Sequence, residues 1–158
     1  MSEIVLLLAS PLHRYEGRPR DGAVPFDGSE TFDQITIRAG LGVVGDRFFG
    51  HRAHMRESVT IMAAESLDGL PNADPAKTRR NVITRGIAVD ELRGEFSLDS
   101  GDGPVWFRAN SAANPCAWMD EQVAPGAFRH LRKHGGMRCE LLTDGTLRLG
   151  EVTLALRS

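Results

Sequence analysis

No apolar run in this chain outlasts a single β-strand. The longest, "IVLLLA" at Ile4 to Ala9, stops at Ser10-Pro11. Glycine, aspartate and asparagine then recur at short spacing, and glycine alone accounts for 17 of 158 residues. These residues accept the left-handed and turn conformations that others resist, so they cap each element at a few residues. The chain is predicted to build many short strands with a few short helices, a barrel or sandwich with decorations. Its length suits one domain with a real core.

Strands are predicted at Ile4–Ala9, Gln34–Ile37, Ser58–Met62, Asn81–Thr84, Glu95–Leu98 and Val105–Arg108, and again within Met137–Leu142, Thr146–Leu149 and Glu151–Leu156. Asp144-Gly145 reads as a hairpin turn between two of them. A second tight turn is expected around Gly150. Helices are predicted at Ala63–Leu70, at Pro115–Gln122 with Pro115 in the first helical position, and at Pro125–Lys133 before Gly135-Gly136. Residues 12–32 are polar and rich in glycine and proline, a long excursion of the kind that is usually functional or mobile.

Composition excludes several classes. The formal charge of −2 gives no nucleic-acid footprint. The run at Ile4–Ala9 is too short to span a bilayer, and Glu3 stands where a signal peptide would carry basic residues. A cytoplasmic protein with no membrane partner is expected. In that reducing setting its two cysteines are free thiols.

The two cysteines differ in context. Met137, Cys139 and Leu141 alternate with Arg138 and Glu140, the period of a half-buried strand, so Cys139 reads as a small core hydrophobe. Cys116 lies in "NSAANPCAWM" with no such pattern. It is either a thiol packed beside Trp118 or a thiolate in the first turn of a helix, with Arg47, Arg80 or Arg108 to lower its pKa.

Two basic stretches can hold anions. In "GLGVVGDRFFGHRAH", Gly40, Gly42, Gly45 and Gly50 let backbone approach a ligand, and Asp46-Arg47 sits in the middle. In "KTRRNVITRG", Arg79-Arg80-Asn81 precedes a predicted strand and can clamp an oxyanion. The alternatives are a surface turn with an ion pair and a solvated charge cluster. His51/His54 and His130/His134 have spacings that can share a metal, but no acidic or thiolate partner stands at ligand spacing.

Taken in order, these pieces resemble the MOSC domain, the module named for the C-terminal part of molybdenum cofactor sulfurases. "GVVGDRF" is similar to the family's Gly-x-x-Gly-Asp-Arg loop, "RESVTIMAAESLDGL" to the strand and short helix after it, and "RRNVITRGIAVDEL" to its Arg-Arg-Asn strand. "NPCAWM" resembles the Pro-Cys element, and "APGAFRHLRKHGGMRCELLTDGTLRLGE" the closing helix, glycine pair and hairpin. The likeness covers residues 34–156 of a single domain, 1–158. Phe48 stands where the family often has His or Tyr, and Glu151 where it often has Asp.

The resemblance implies a closed β-barrel of about seven or more strands with short peripheral helices. It implies a pocket for the molybdenum cofactor (molybdopterin). Cys116 would be the metal ligand or catalytic sulfur carrier, and Gly45, Asp46, Arg47, Arg80 and Asn81 would bind the anionic cofactor. No pyridoxal phosphate site is expected in this chain. Three functions stay open: a cofactor-binding or persulfide-carrying protein; a molybdenum-dependent reductase of N-hydroxylated compounds that needs a separate electron donor; and a non-catalytic binding module on the same barrel. The expected partner is a molybdoenzyme, a sulfur donor or a redox protein.

Overall fold

The computed structural model describes residues 1–157. Strands β1 (Glu3–Leu7), β2 (Gln34–Arg38), β3 (Gly42–Val43), β4 (Val59–Ala63), β5 (Val82–Arg85) and β6 (Glu95–Asp99) are followed by the long β7 (Pro104–Ala112). Helices α1 (Trp118–Gln122) and α2 (Ala127–His130) precede β8 (Met137–Leu141), β9 (Gly145–Arg148), β10 (Gly150–Glu151) and β11 (Thr153–Arg157). Eight strands form one sheet in the order β10-β1-β5-β4-β8-β7-β6-β11, which curls into a nearly closed barrel. This is the predicted strand-rich architecture. Its two outer strands, β10 and β11, are consecutive in the chain, joined only by Val152. The N–H of Val152 donates to the Ser2 carbonyl at 3.0 Å, so the chain itself links the barrel's edges.

Alternation decides which side chains fill the barrel. In β8, Met137, Cys139 and Leu141 point inward, while Arg138 is exposed and Glu140 is half-buried. Phe96 and Phe107 stack in parallel with ring centroids 5.1 Å apart at the centre of that core. A three-stranded sheet, β3-β2-β9, adds Ile35, Ile37, Val43 and Leu147 to the same core. A second apolar cluster lies outside the barrel wall. There Met119, Val123, Ala127 and Leu131 of the helical segment cover Met62 and Ile83. That cluster fixes the segment carrying Cys116 against β4 and β5.

Several expectations change. Asp144-Gly145 does not close a hairpin. It carries the chain from β8, paired with β4 and β7, to β9, paired with β2. The Asp144 carboxylate instead accepts from the Ala39 N–H at 2.7 Å, and a Cβ on Gly145 would lie 2.6 Å from Val105. Gly150 (φ +109°) likewise closes no hairpin: it opens β10 and pairs with Ile4 of β1, whereas the preceding β9 pairs with β2. The predicted helix at Ala63–Leu70 is one 3-10 turn, Ala64–Leu67. The strand predicted to end at Arg108 runs on to Ala112, so "NSAANPCAWM" starts as sheet and only then turns.

Candidate functional site

Residues 12–32 do not hang free. They cross the end of the barrel as a strap. Backbone bonds from Ala9 to Glu30 (2.9 Å) and from Phe32 to Leu7 (3.0 Å) pin its trailing end, Arg79 Nη2 donates to the Leu12 carbonyl (2.9 Å) at its leading end, and Val24 donates to Arg14 (2.7 Å) within it. The Glu30 carboxylate is the strap's main fastening. It accepts from Arg14 Nη1 at 2.8 Å and from Arg79 Nη1 at 2.6 Å. Burial acts to raise that carboxyl, but hydrogen bonds from Ser10, Arg79 and Arg14 outweigh it and hold it at about 2.

Under the strap lies a cavity of about 160 Å³ lined by Arg47, Arg79, Arg80 and Cys116 from the barrel side and by His13, Arg14 and Tyr15 from the strap. Phe48, Thr78 and Met119 complete the wall. Cys116 is exposed; Cys139 is buried in the barrel, where desolvation pushes its thiol up to about 12. Cys116 stands two residues before α1 rather than within it, and its carbonyl accepts from the Met119 N–H at 3.0 Å. With only five residues, α1 gives no basis for the predicted dipole effect on the sulfur. The charge around the cysteine comes from arginines instead. Arg108 is not among them: it pairs with Glu95 and Glu140 on the barrel's outer face.

Arg80 is the most constrained of these cations. Its guanidinium donates to the carbonyls of Gly135 (3.0 Å), Thr78 (3.3 Å) and Ala113 (3.3 Å). The glycine is required: a Cβ on residue 135 would lie 2.1 Å from the Ala113 oxygen. The "GG" and "NSAAN" segments are thus packed together around one buried charge. Burial first, and then the neighbouring Arg138, lower Arg80 to about 10, so it is cationic at neutral pH. None of the ion pairs among the described residues includes it.

Arg47 projects from the glycine-rich loop. Its Nη1 donates to Asp46 Oδ1 at 3.1 Å, and its guanidinium lies 4.7 Å from the centroid of Phe48. Burial is the main cause that lowers it from its ordinary value. Arg79 occupies a left-handed backbone position, φ +64°, which swings its side chain across to Glu30 and the Leu12 carbonyl. Tyr15 stacks on Trp118 at 4.8 Å and 6°. Its burial raises the phenol to about 12. His13 meets Phe48 edge-on at 5.2 Å, and desolvation followed by Arg47 lowers its pKa.

Three of the sequence-predicted site residues build the wall without lining the cavity. The buried Asp46 carboxylate accepts from the Ser10 N–H (3.0 Å) and the Phe48 N–H (3.4 Å), which fixes the arginine loop to the start of the strap. Asn81 accepts from the Thr60 N–H at 3.0 Å and donates to the Leu8 carbonyl at 3.1 Å, so it staples β1, β4 and β5. Gly45 adopts φ +88°, a turn requirement. His13, Arg14 and Tyr15 were not singled out by sequence reasoning. Their only signal was the length and polarity of the strap.

The histidine pairs build no metal site. His51 and His54 lie 5.0 Å apart as tilted rings, with His54 against Phe48. Among the described residues, no three or more His, Cys, Asp or Glu converge to hold an ion. A more open cavity of about 800 Å³ lies elsewhere, between Gly86–Glu91 and His130–His134, and neither cysteine lines it.

Four guanidiniums therefore face two carboxylates, Glu30 and Asp46, around an exposed thiol. The cleft thus carries an excess of two positive charges beside an exposed thiol, an arrangement that attracts anions.

The barrel is shared with solved proteins. The YuaD protein from Bacillus subtilis superposes with a TM-score of 0.71 over 98% of this chain and 94% of its own, at 17% identity. YiiM from Escherichia coli does so with a TM-score of 0.60 over 99% of this chain and 71% of its own, at 12% identity. At these identities the likeness shows a shared fold and nothing more. No family model and no curated protein matches the chain by sequence.

Proposed function

We propose that this is a sulfur-handling protein of the MOSC type, in which Cys116 carries a sulfane sulfur as a persulfide or ligates molybdenum, and the arginines hold the anionic group delivered to it. The observation that supports this reading is the shared cavity of Cys116, Arg47, Arg79 and Arg80. A thiolate is the form that attacks, carries sulfur and binds a soft metal.

The donor set also suits one end of a molybdenum cofactor. Arg47, Arg79 and Arg80 would hold its phosphate, and Cys116 would be the soft ligand to its metal. When bound, that group would supply a molybdenum centre able to accept sulfur or electrons. A cavity of about 160 Å³ accommodates an anionic or metal-bearing end rather than a whole pterin. The partner that receives the sulfur would be a molybdoenzyme or its assembly protein.

The test is intact-mass spectrometry after brief exposure to an uncharged organic trisulfide. The expected result is the gain of one sulfur atom, mapped to Cys116 and removable by dithiothreitol. Gain of sulfur at Cys116→Ser equal to the parent protein, or no gain at all, would overturn the sulfur-carrying reading.

A further inference from the structure

We propose that the cavity takes its sulfur from a small dianion, a thiosulfate-class donor, which rests on the sulfur-carrying reading above. Size argues first. About 160 Å³ is the room of roughly five waters at ~30 Å³ each, enough for one substituted tetrahedral oxyanion. Charge argues next. The cavity's excess of two positive charges matches a dianion and leaves a carboxylate-sized monoanion undercompensated. Geometry adds the third point. Arg80 is held rigidly by three carbonyls and lacks a carboxylate partner in its set of hydrogen bonds. A fixed cation of this kind is preorganised for an anion that arrives from solvent. Cys116 on the same wall selects among dianions, because sulfate and phosphate offer a thiolate no sulfane sulfur to attack.

The step balances without an added oxidant. The Cys116 thiol loses its proton to solvent. The thiolate attacks the outer, sulfane sulfur of thiosulfate, and a new S–S bond forms. The original S–S bond breaks, and both its electrons leave with sulfite, a dianion that the same arginines stabilise as it departs. Cys116 is left as a persulfide, whose outer sulfur is then available to an acceptor.

Rates of loading at Cys116 are to be compared for thiosulfate and for the uncharged trisulfide, with sulfite measured alongside. Thiosulfate should load at least about tenfold faster and release one sulfite per sulfur gained, and added sulfate should slow it competitively. Arg47→Gln should cut the ratio of the two rates by roughly tenfold to a hundredfold, the scale of one charge-assisted hydrogen bond. A circular-dichroism spectrum and melting temperature equal to the parent's separate this effect from general loss of structure. Loading by trisulfide with none by thiosulfate would overturn this inference and leave the sulfur-carrying reading standing. No loading by either reagent would overturn both. A ratio unchanged in Arg47→Gln would also overturn it, since the arginines would then have no part in choosing the donor.

Discussion

Two cysteines of the same chain sit in opposite environments, and burial alone separates them. Cys139 is enclosed in the barrel with its thiol raised to about 12, while Cys116 is exposed. Iodoacetamide at pH 8 should therefore alkylate one thiol per native chain, at Cys116, and the second only in denaturant; peptide mapping reads this directly. Rapid native labelling of Cys139 would contradict the packing. Asn81 makes the complementary point about polar groups. Its amide satisfies the Thr60 N–H and the Leu8 carbonyl in a site where it is 2% exposed. Asn81→Ala orphans both, at about 1–3 kcal/mol each, so urea denaturation should show a loss of about 2–6 kcal/mol. An effect below about 0.5 kcal/mol would mean that water reaches those groups.

At the scale of elements, the strands were legible because alternation reports burial locally. Met137-Arg138-Cys139-Glu140-Leu141 states its inward face without reference to its partners. What it cannot state is which strand lies alongside. Asp144-Gly145 has the composition of a hairpin turn, yet the pairing partners of β8 and β9 lie far away in sequence. The strap escaped for the same reason: His13, Arg14 and Tyr15 acquire a role only through Phe48, Glu30 and Trp118, which lie up to about a hundred residues away. Its fastening makes a pH prediction. Glu30 is held at about 2 against an ordinary 4.5, so its folded pKa is depressed. The stabilisation is fully present above about 4.5 and is lost as pH falls towards 2. Cleavage within residues 12–32 by an acid-active protease should rise across that window. Glu30→Gln should show elevated cleavage already at pH 5, where the parent strap is held. Equal cleavage of the two at pH 5 would show that the strap is fastened by something else.

For the whole molecule, the decisive contact joins the two ends of the chain. Glu3 pairs with Glu151 in β10, and β11 pairs with β6, so Val152 is the hinge through which the barrel's edges meet. Such long-range pairing contributes only after most of the chain is in place, which makes closure a late and cooperative event. The strap is bonded at the end of β1, the strand that pairs with β10, so the Cys116 cavity beneath it lies near one side of that closure. Val152→Pro removes the N–H that reaches Ser2 and restricts φ at the hinge, while keeping an apolar side chain at a position only 4% exposed. If the barrel is one cooperative unit, native-state hydrogen exchange in this variant should quicken together in β1 and β6, strands on opposite sides of the hinge. A drop of about 2–3 kcal/mol in opening free energy at both is expected. Faster exchange confined to β10 and β11 would instead mean that the eight strands behave as an open sheet, whose edges fray without disturbing the site.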